Sequence, residues 1–177
     1  MQTFLPYADP EASARALDVK RLGKQRVECL QVVRGLTVSG YGWRRHPAVL
    51  MWSGCLEALG RYALTCCEVW VEGGRADTVA TTLVADLAAG GVTRVRDQAE
   101  LEAAGDVPWW WGLEPVHRSH RSALLRKDPD HYGPMFPGVP ADLAYVWPGP
   151  EPREISEVEA AAKFQATPPR KRAVREP

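Results

Sequence analysis

The chain has 177 residues, 45% of them hydrophobic, and its 22 basic side chains balance 22 acidic ones to a formal charge of zero. That length fits one domain with a tail and is enough to bury a core without disulfides or metal. A neutral total excludes a globally basic nucleic-acid coat and a disordered polyelectrolyte, so any charged surface must come from local segregation.

In chain order, Asp9-Pro10-Glu11 ahead of an Ala-rich run predicts a helix with Asp9 as N-cap and Pro10 in the first position. A second helix is read over Val19 to Thr37, ending before the turn residues Ser39-Gly40-Tyr41-Gly42. A third starts at His46-Pro47 and runs through Val49, Met51, Trp52, Leu56, Leu59, Leu64 and Val69 to the stop at Gly73-Gly74. Asp77 caps a fourth over Thr78 to Ala89, and Asp97 to Ala104 form a short one. Pro108 and three successive tryptophans lead into a helix over Val116 to Lys127. After Asp128-Pro129 the chain is rich in Pro, Gly and aromatics and reads as ordered coil. From about Gln165, PPRKRAVREP is charged and poor in aliphatics and reads as disordered.

No strand of convincing alternation and no repeat appears, so the class is mostly α. The expected organisation is a compact helical domain over residues 1–150 and a charged, Pro-rich tail over 151–177, partly helical and then disordered. The four cysteines (Cys29, Cys55, Cys66, Cys67) form no CxxC and fall in helical stretches, which favours buried thiols over disulfides or zinc. No run of about 18 apolar residues occurs, and MQTFLPYADP lacks the layout of a secretory signal, so a cytoplasmic protein without membrane contact is expected.

Charge is segregated. Between Arg15 and Arg45 eight Lys or Arg face two acids, Asp18 and Glu28. A second cationic stretch, Arg118 to Lys127, follows His117 and includes His120. If the two meet in space, a neutral protein gains one positive face suited to a phosphate backbone. On the second helix Leu22, Cys29, Leu30, Val33 and Leu36 form a core stripe, and Arg21, Lys24, Gln25 and Glu28 gather on the opposite side. Arg26 projects near the apolar stripe, where it snorkels, pairs, or reaches into a cleft. His117, His120 and Arg121 share a helical face suited to phosphate contacts and proton transfer. Two histidines three apart lack a third ligand, so no metal site is expected. Among Trp109, Trp110 and Trp111 at least one exposed indole is expected, as a stacking platform for a base or as a staple closing a loop.

The segment LDVKRLGKQRVECL, residues 17 to 30, resembles the pyrimidine-dimer DNA glycosylase and AP-lyase family of the endonuclease V type. The spacing of Arg21, Leu22, Gln25 and Glu28 is similar to the family's helix bearing the catalytic glutamate. LEALGRYALTCCEVWVEGGRADT, residues 56 to 78, resembles the family's long central helix and its Gly turn. A more extensive likeness, over most of residues 2 to 147, is to bacterial members assigned by homology that share FLPY, RLGKQRVE, GWRRHPA and HRSHRSALLRKDP.

The resemblance implies a compact α domain without cofactor, working on double-stranded DNA as a monomer, associated with the nucleoid when it acts. It implies a primary amine at the N-terminus that attacks C1′ of a damaged nucleotide and forms a Schiff base, and a glutamate, matched here by Glu28, that stabilises the developing charge and assists elimination. Familiar members expose a threonine amine after Met removal, whereas Gln2 here keeps Met1. An α-amine is by its class a weaker base than a lysine, roughly 8 against 10.4, which favours Met1 over the competing amine, Lys24. The DNA-facing set implied or expected is Arg21, Gln25, Arg26, Arg44, Arg45, His46, Trp110, His117, Arg118, His120 and Arg121. Two rival readings remain: a non-catalytic nucleic-acid-binding or regulatory module, and an enzyme acting on modified nucleotides.

Overall fold

The computed structural model describes residues 1–165. The disorder expected from about Gln165 onward therefore lies almost wholly outside the described residues. The described chain is helical: α1 Pro10–Ala16, α2 Val19–Thr37, α3 Pro47–Leu50, α4 Leu56–Glu72, α5 Val79–Ala89, α6 Gln98–Ala104, α7 Glu114–Lys127, α8 Pro129–Tyr132 and α9 Glu157–Ala161.

Local chemistry sets these ends. Asp9 caps α1 by accepting from Ala12 N–H, with Pro10 in the first turn. Asp18 caps α2 by accepting from Lys20 and Arg21 N–H. Asp97 and Glu100 form a reciprocal capping box on α6, and Gly105, at φ 72°, closes it in the left-handed conformation. The single third helix expected from His46 to Val69 is instead two, α3 and α4. Gly54 sits at φ 78° between them, and this turn drives Met51 and Trp52 into the core.

Helix α2 packs on α4 and α5, α4 also packs on α1 and α5, and α7 lies against α8. Close approach requires small residues: a Cβ on Gly60 of α4 would stand 2.8 Å from Leu87 Cδ1 of α5. Trp52, Tyr62, Trp110, Tyr132 and Leu124 are among the largest fully buried side chains, and the cluster they belong to draws on most of the helices. Cys29, Cys66 and Cys67 are buried free thiols and Cys55 is half-buried. Burial pushes the Cys67 thiol up to about 12.

The feature that shapes the molecule is the N-terminal segment, residues 2–6, which is buried across the face of α2 opposite its core stripe. It joins no sheet, so side chains satisfy its backbone. Gln2 N–H donates to Glu28 Oε2 (3.1 Å), Phe4 N–H to Gln25 Oε1 (2.9 Å), and Leu5 N–H to His120 Nδ1 (3.1 Å). Gln25 Nε2 donates back to Gln2 O (2.9 Å), Tyr62 Oη–H to Phe4 O, and Arg121 to Pro6 O (2.7 Å). Gln25 thus serves the segment as a neighbouring strand would, with one donor and one acceptor.

Candidate active site

Between this segment, the first three turns of α2 and the end of α7 lies a cleft of about 390 Å³. Met1, Gln2 and Phe4 come from the N-terminal segment, Lys20, Arg21, Lys24, Gln25 and Glu28 from α2, and Lys127 and Tyr145 from α7 and the coil after α8. The spacing of positions 21, 24 and 28 on a helix aligns these side chains along one face. Glu28 is the only carboxylate among the lining side chains, against Lys20, Lys24, Lys127 and Arg21.

The two basic stretches of the sequence do meet here: Arg21 Nη2 donates to Lys127 O at 2.8 Å. Arg21 is braced by Asp18 (2.5 Å) and Asp128 (3.5 Å), and Asp18 also accepts from the Tyr132 hydroxyl (2.6 Å). Lys20, Lys24 and Lys127 have no carboxylate within ion-pair distance among the described residues. Partial desolvation and the neighbouring charges of Arg21 and Lys24 pull the Lys127 ammonium below the usual lysine range. Lys127 Nζ stands 5.7 Å from the Phe4 ring centroid. Burial holds the Tyr145 phenol up at about 12, so it lines the cleft as a neutral hydroxyl.

Several expectations for DNA-facing residues are corrected. Gln25 is 1% exposed, because the N-terminal segment covers the α2 face that periodicity alone leaves in water. Arg26 is buried on the other flank of α2, where it pairs with Asp77 and stacks 4.0 Å over the Trp70 ring, so pairing is its solution to the apolar stripe. Trp110 is fully buried, its indole N–H donating to Met51 O at 2.6 Å, and acts as the staple. Trp109 and Trp111 are half-buried.

His117 and His120 are also buried, 3% and 0% exposed, and bracket Leu5 in opposite tautomers. His117 Nδ1–H donates to Leu5 O (2.8 Å) while its Nε2 accepts from Gly112 N–H (3.2 Å). His120 Nδ1 accepts from Leu5 N–H (3.1 Å). Both are buried neutral: burial pushes His120 down to about 3 and lowers His117 in the same sense. Neither side chain reaches a surface ligand. Arg121 is half-buried, shared between Pro6 O and Glu114. Arg118 is exposed on the outer side of α7, and Arg44 and Arg45 are exposed in the loop before α3.

His46 caps α3, its Nδ1 accepting from Ala48 N–H at 3.1 Å. Burial and the amine at residue 1 lower its imidazolium while Glu28 opposes them, which puts the ring within electrostatic reach of both cleft groups. Sequence reasoning missed Gln2, Phe4, Lys20, Lys127 and Tyr145 as lining residues. Lys20 was legible from its place one turn before Lys24. Lys127 was legible only as the end of the second cationic stretch, and Tyr145 carried no signal, since only tertiary packing brings them to α2.

Among the described residues no group of three or more His, Cys, Asp or Glu stands together as a metal site, and no helix is long and apolar enough to cross a membrane. The chemistry on offer is that of amines and one carboxylate in a cationic, aromatic-walled cleft. Residues 1–82 match the family model described as pyrimidine dimer DNA glycosylase, so over this part the chain is similar to a family of DNA-repair glycosylases acting on DNA. The match takes in Met1, all of α2 with Glu28, and the start of α5; Lys127 and Tyr145 lie beyond it. No curated protein and no solved structure matches the chain.

Proposed function

We propose that the protein is a DNA-repair glycosylase that excises a damaged pyrimidine from double-stranded DNA and then cleaves the strand as an AP lyase. The observation that carries the reading is the Gln2 N–H bond to Glu28 Oε2 at 3.1 Å, which holds residue 1 beside the one carboxylate of a cationic cleft. In this reading the neutral α-amine of Met1 attacks C1′ of the lesion nucleotide. The N-glycosidic bond breaks, and the base leaves with its electron pair and takes up a proton. The sugar ring opens to a protonated Schiff base on Met1. Glu28 stabilises the positive charge that develops on the sugar. Loss of a C2′ proton then breaks the C3′–O bond. Lys20, Lys24 and Arg21 hold flanking phosphates.

The test incubates the protein with duplexes each bearing one lesion or modified base, in the presence of borohydride. Base release with a trapped covalent adduct that maps to Met1 is the expected result. An adduct on Lys24 or on Lys127 overturns the nucleophile assignment. Base release without trapping means that water is the nucleophile. Duplex binding with no release from any substrate favours the non-catalytic binding module.

A further inference from the structure

The loop between α2 and α3, residues 38–46, is not explained by the cleft. Of the seven tryptophans, only Trp43 is exposed, at 50%. A large aromatic surface left in water gains free energy when something covers it. Arg44 and Arg45 follow it, both exposed, and neither has a carboxylate within ion-pair distance among the described residues. By contrast Arg34, on the preceding helix, is tied to Asp86 at 2.6 Å.

The loop is also shaped. Arg44 N–H donates to Tyr41 O (3.2 Å) and His46 N–H to Trp43 O (2.8 Å), so two successive turns fix the indole's root. Gly40, at φ 78°, supplies the left-handed residue that starts this reversal. Behind Trp43 the His46 ring meets it edge-on at 5.6 Å, and Trp147 meets His46 at 6.0 Å. Trp147 lies 5.2 Å from Tyr145, which itself faces Phe4 at 6.4 Å inside the cleft. An aromatic wall therefore runs from the exposed indole to the groups beside Glu28.

Resting on the reading of the cleft as a DNA site, we propose that Trp43 is a wedge that enters the base stack next to the lesion. Arg44 and Arg45 contact the phosphates on either side of the insertion, and the aromatic wall offers stacking to the nucleotide the wedge displaces. Base stacking on an aromatic side chain does not depend on sequence, so the wedge unstacks DNA without choosing the base. Trp43 thus takes the stacking role that the sequence suggested for one of Trp109, Trp110 and Trp111.

The experiment uses the full chain and a duplex carrying 2-aminopurine beside a reduced abasic site, with the Trp43→Ala and Trp43→Phe variants. Wild-type binding should raise 2-aminopurine fluorescence. Trp43→Ala, with an unchanged thermal midpoint, should lose that rise even at protein concentrations that saturate the duplex, and Trp43→Phe should keep part of it. On lesion substrates, the ratio of duplex to single-strand turnover should fall by roughly tenfold in Trp43→Ala, because only the duplex needs unstacking. A full fluorescence rise in Trp43→Ala, or equal losses on duplex and single strand, overturns the wedge. A wild-type rise without base release from any lesion leaves the wedge standing and sinks the glycosylase reading. Wild-type base release without any rise sinks the wedge alone.

Discussion

At the residue scale the site turns on Glu28. Its Oε2 accepts the Gln2 N–H that fixes the start of the chain, and the side chain is only half-buried at the cleft. A glutamine here offers the same acceptor without the charge. Glu28→Gln should therefore keep the thermal midpoint and duplex affinity close to wild type while lowering turnover by about a hundredfold or more, the scale expected when a main electrostatic stabiliser is lost. Collapse of stability and binding together would make Glu28 a structural acceptor only. The sequence placed Arg21, Lys24 and Glu28 on one face, and the structure keeps them together. It could not show that Gln25 on that face turns inward, because the partner that buries it is 21 residues away at Phe4.

At the scale of elements, the buried N-terminal segment and α7 act as one unit. The paired tautomers of His117 and His120 exist only while both rings are neutral, since a protonated His120 Nδ1 has no lone pair for Leu5 N–H. The folded value of His120, about 3, lies below the roughly 6.5 of an exposed imidazole. Between these values the unfolded chain binds more protons than the folded one. This contribution to stability is fully present above about pH 6.5 and is lost as pH falls toward 3. Chemical denaturation at pH 7.5 and 5.5 should show a loss on the order of 1 kcal/mol from this group.

His120→Leu should cost about 1 to 3 kcal/mol at pH 7.5 by leaving the Leu5 N–H unpaired. His120→Asn, which restores an acceptor that does not titrate, should recover part of that loss and flatten the acid dependence. An acid profile unchanged by His120→Asn would show that other groups govern it. The histidine pair read as a ligand-facing motif in the sequence because helical spacing puts both on one side; what that side meets depends on where residues 2–6 run.

For the whole molecule, zero net charge conceals a cleft that collects unpaired lysines. If Lys20, Lys24, Lys127 and Arg21 neutralise about four phosphates, log affinity for duplex DNA should fall against log salt with a slope of roughly −3 to −4. Replacing Lys20, Lys24 or Lys127 by Ala should lower that slope by about one each. Arg94→Ala, which removes an exposed arginine that does not line the cleft, should leave it unchanged. Equal slopes for the lysine and Arg94 variants would mean that DNA does not use this cleft.

The sequence by itself determined the helical class, the start of α1, both ends of α2 and α6, the stop of α5, the burial of Cys29, Cys66 and Cys67 and the alignment of Arg21, Lys24 and Glu28. Each follows from caps, turn residues or a period of 3.6, which act over a few residues. Tertiary structure alone decided the burial of Gln25, Trp110, His117 and His120, the pairing of Arg26 with Asp77, and the arrival of Lys127 and Tyr145 at the cleft. Periodicity fixes the angles between side chains on a helix, but which sector faces water is set by what packs against it. Here the covering element is residues 2–6, a buried segment whose backbone partners lie as far away as α7 and leave no periodic trace.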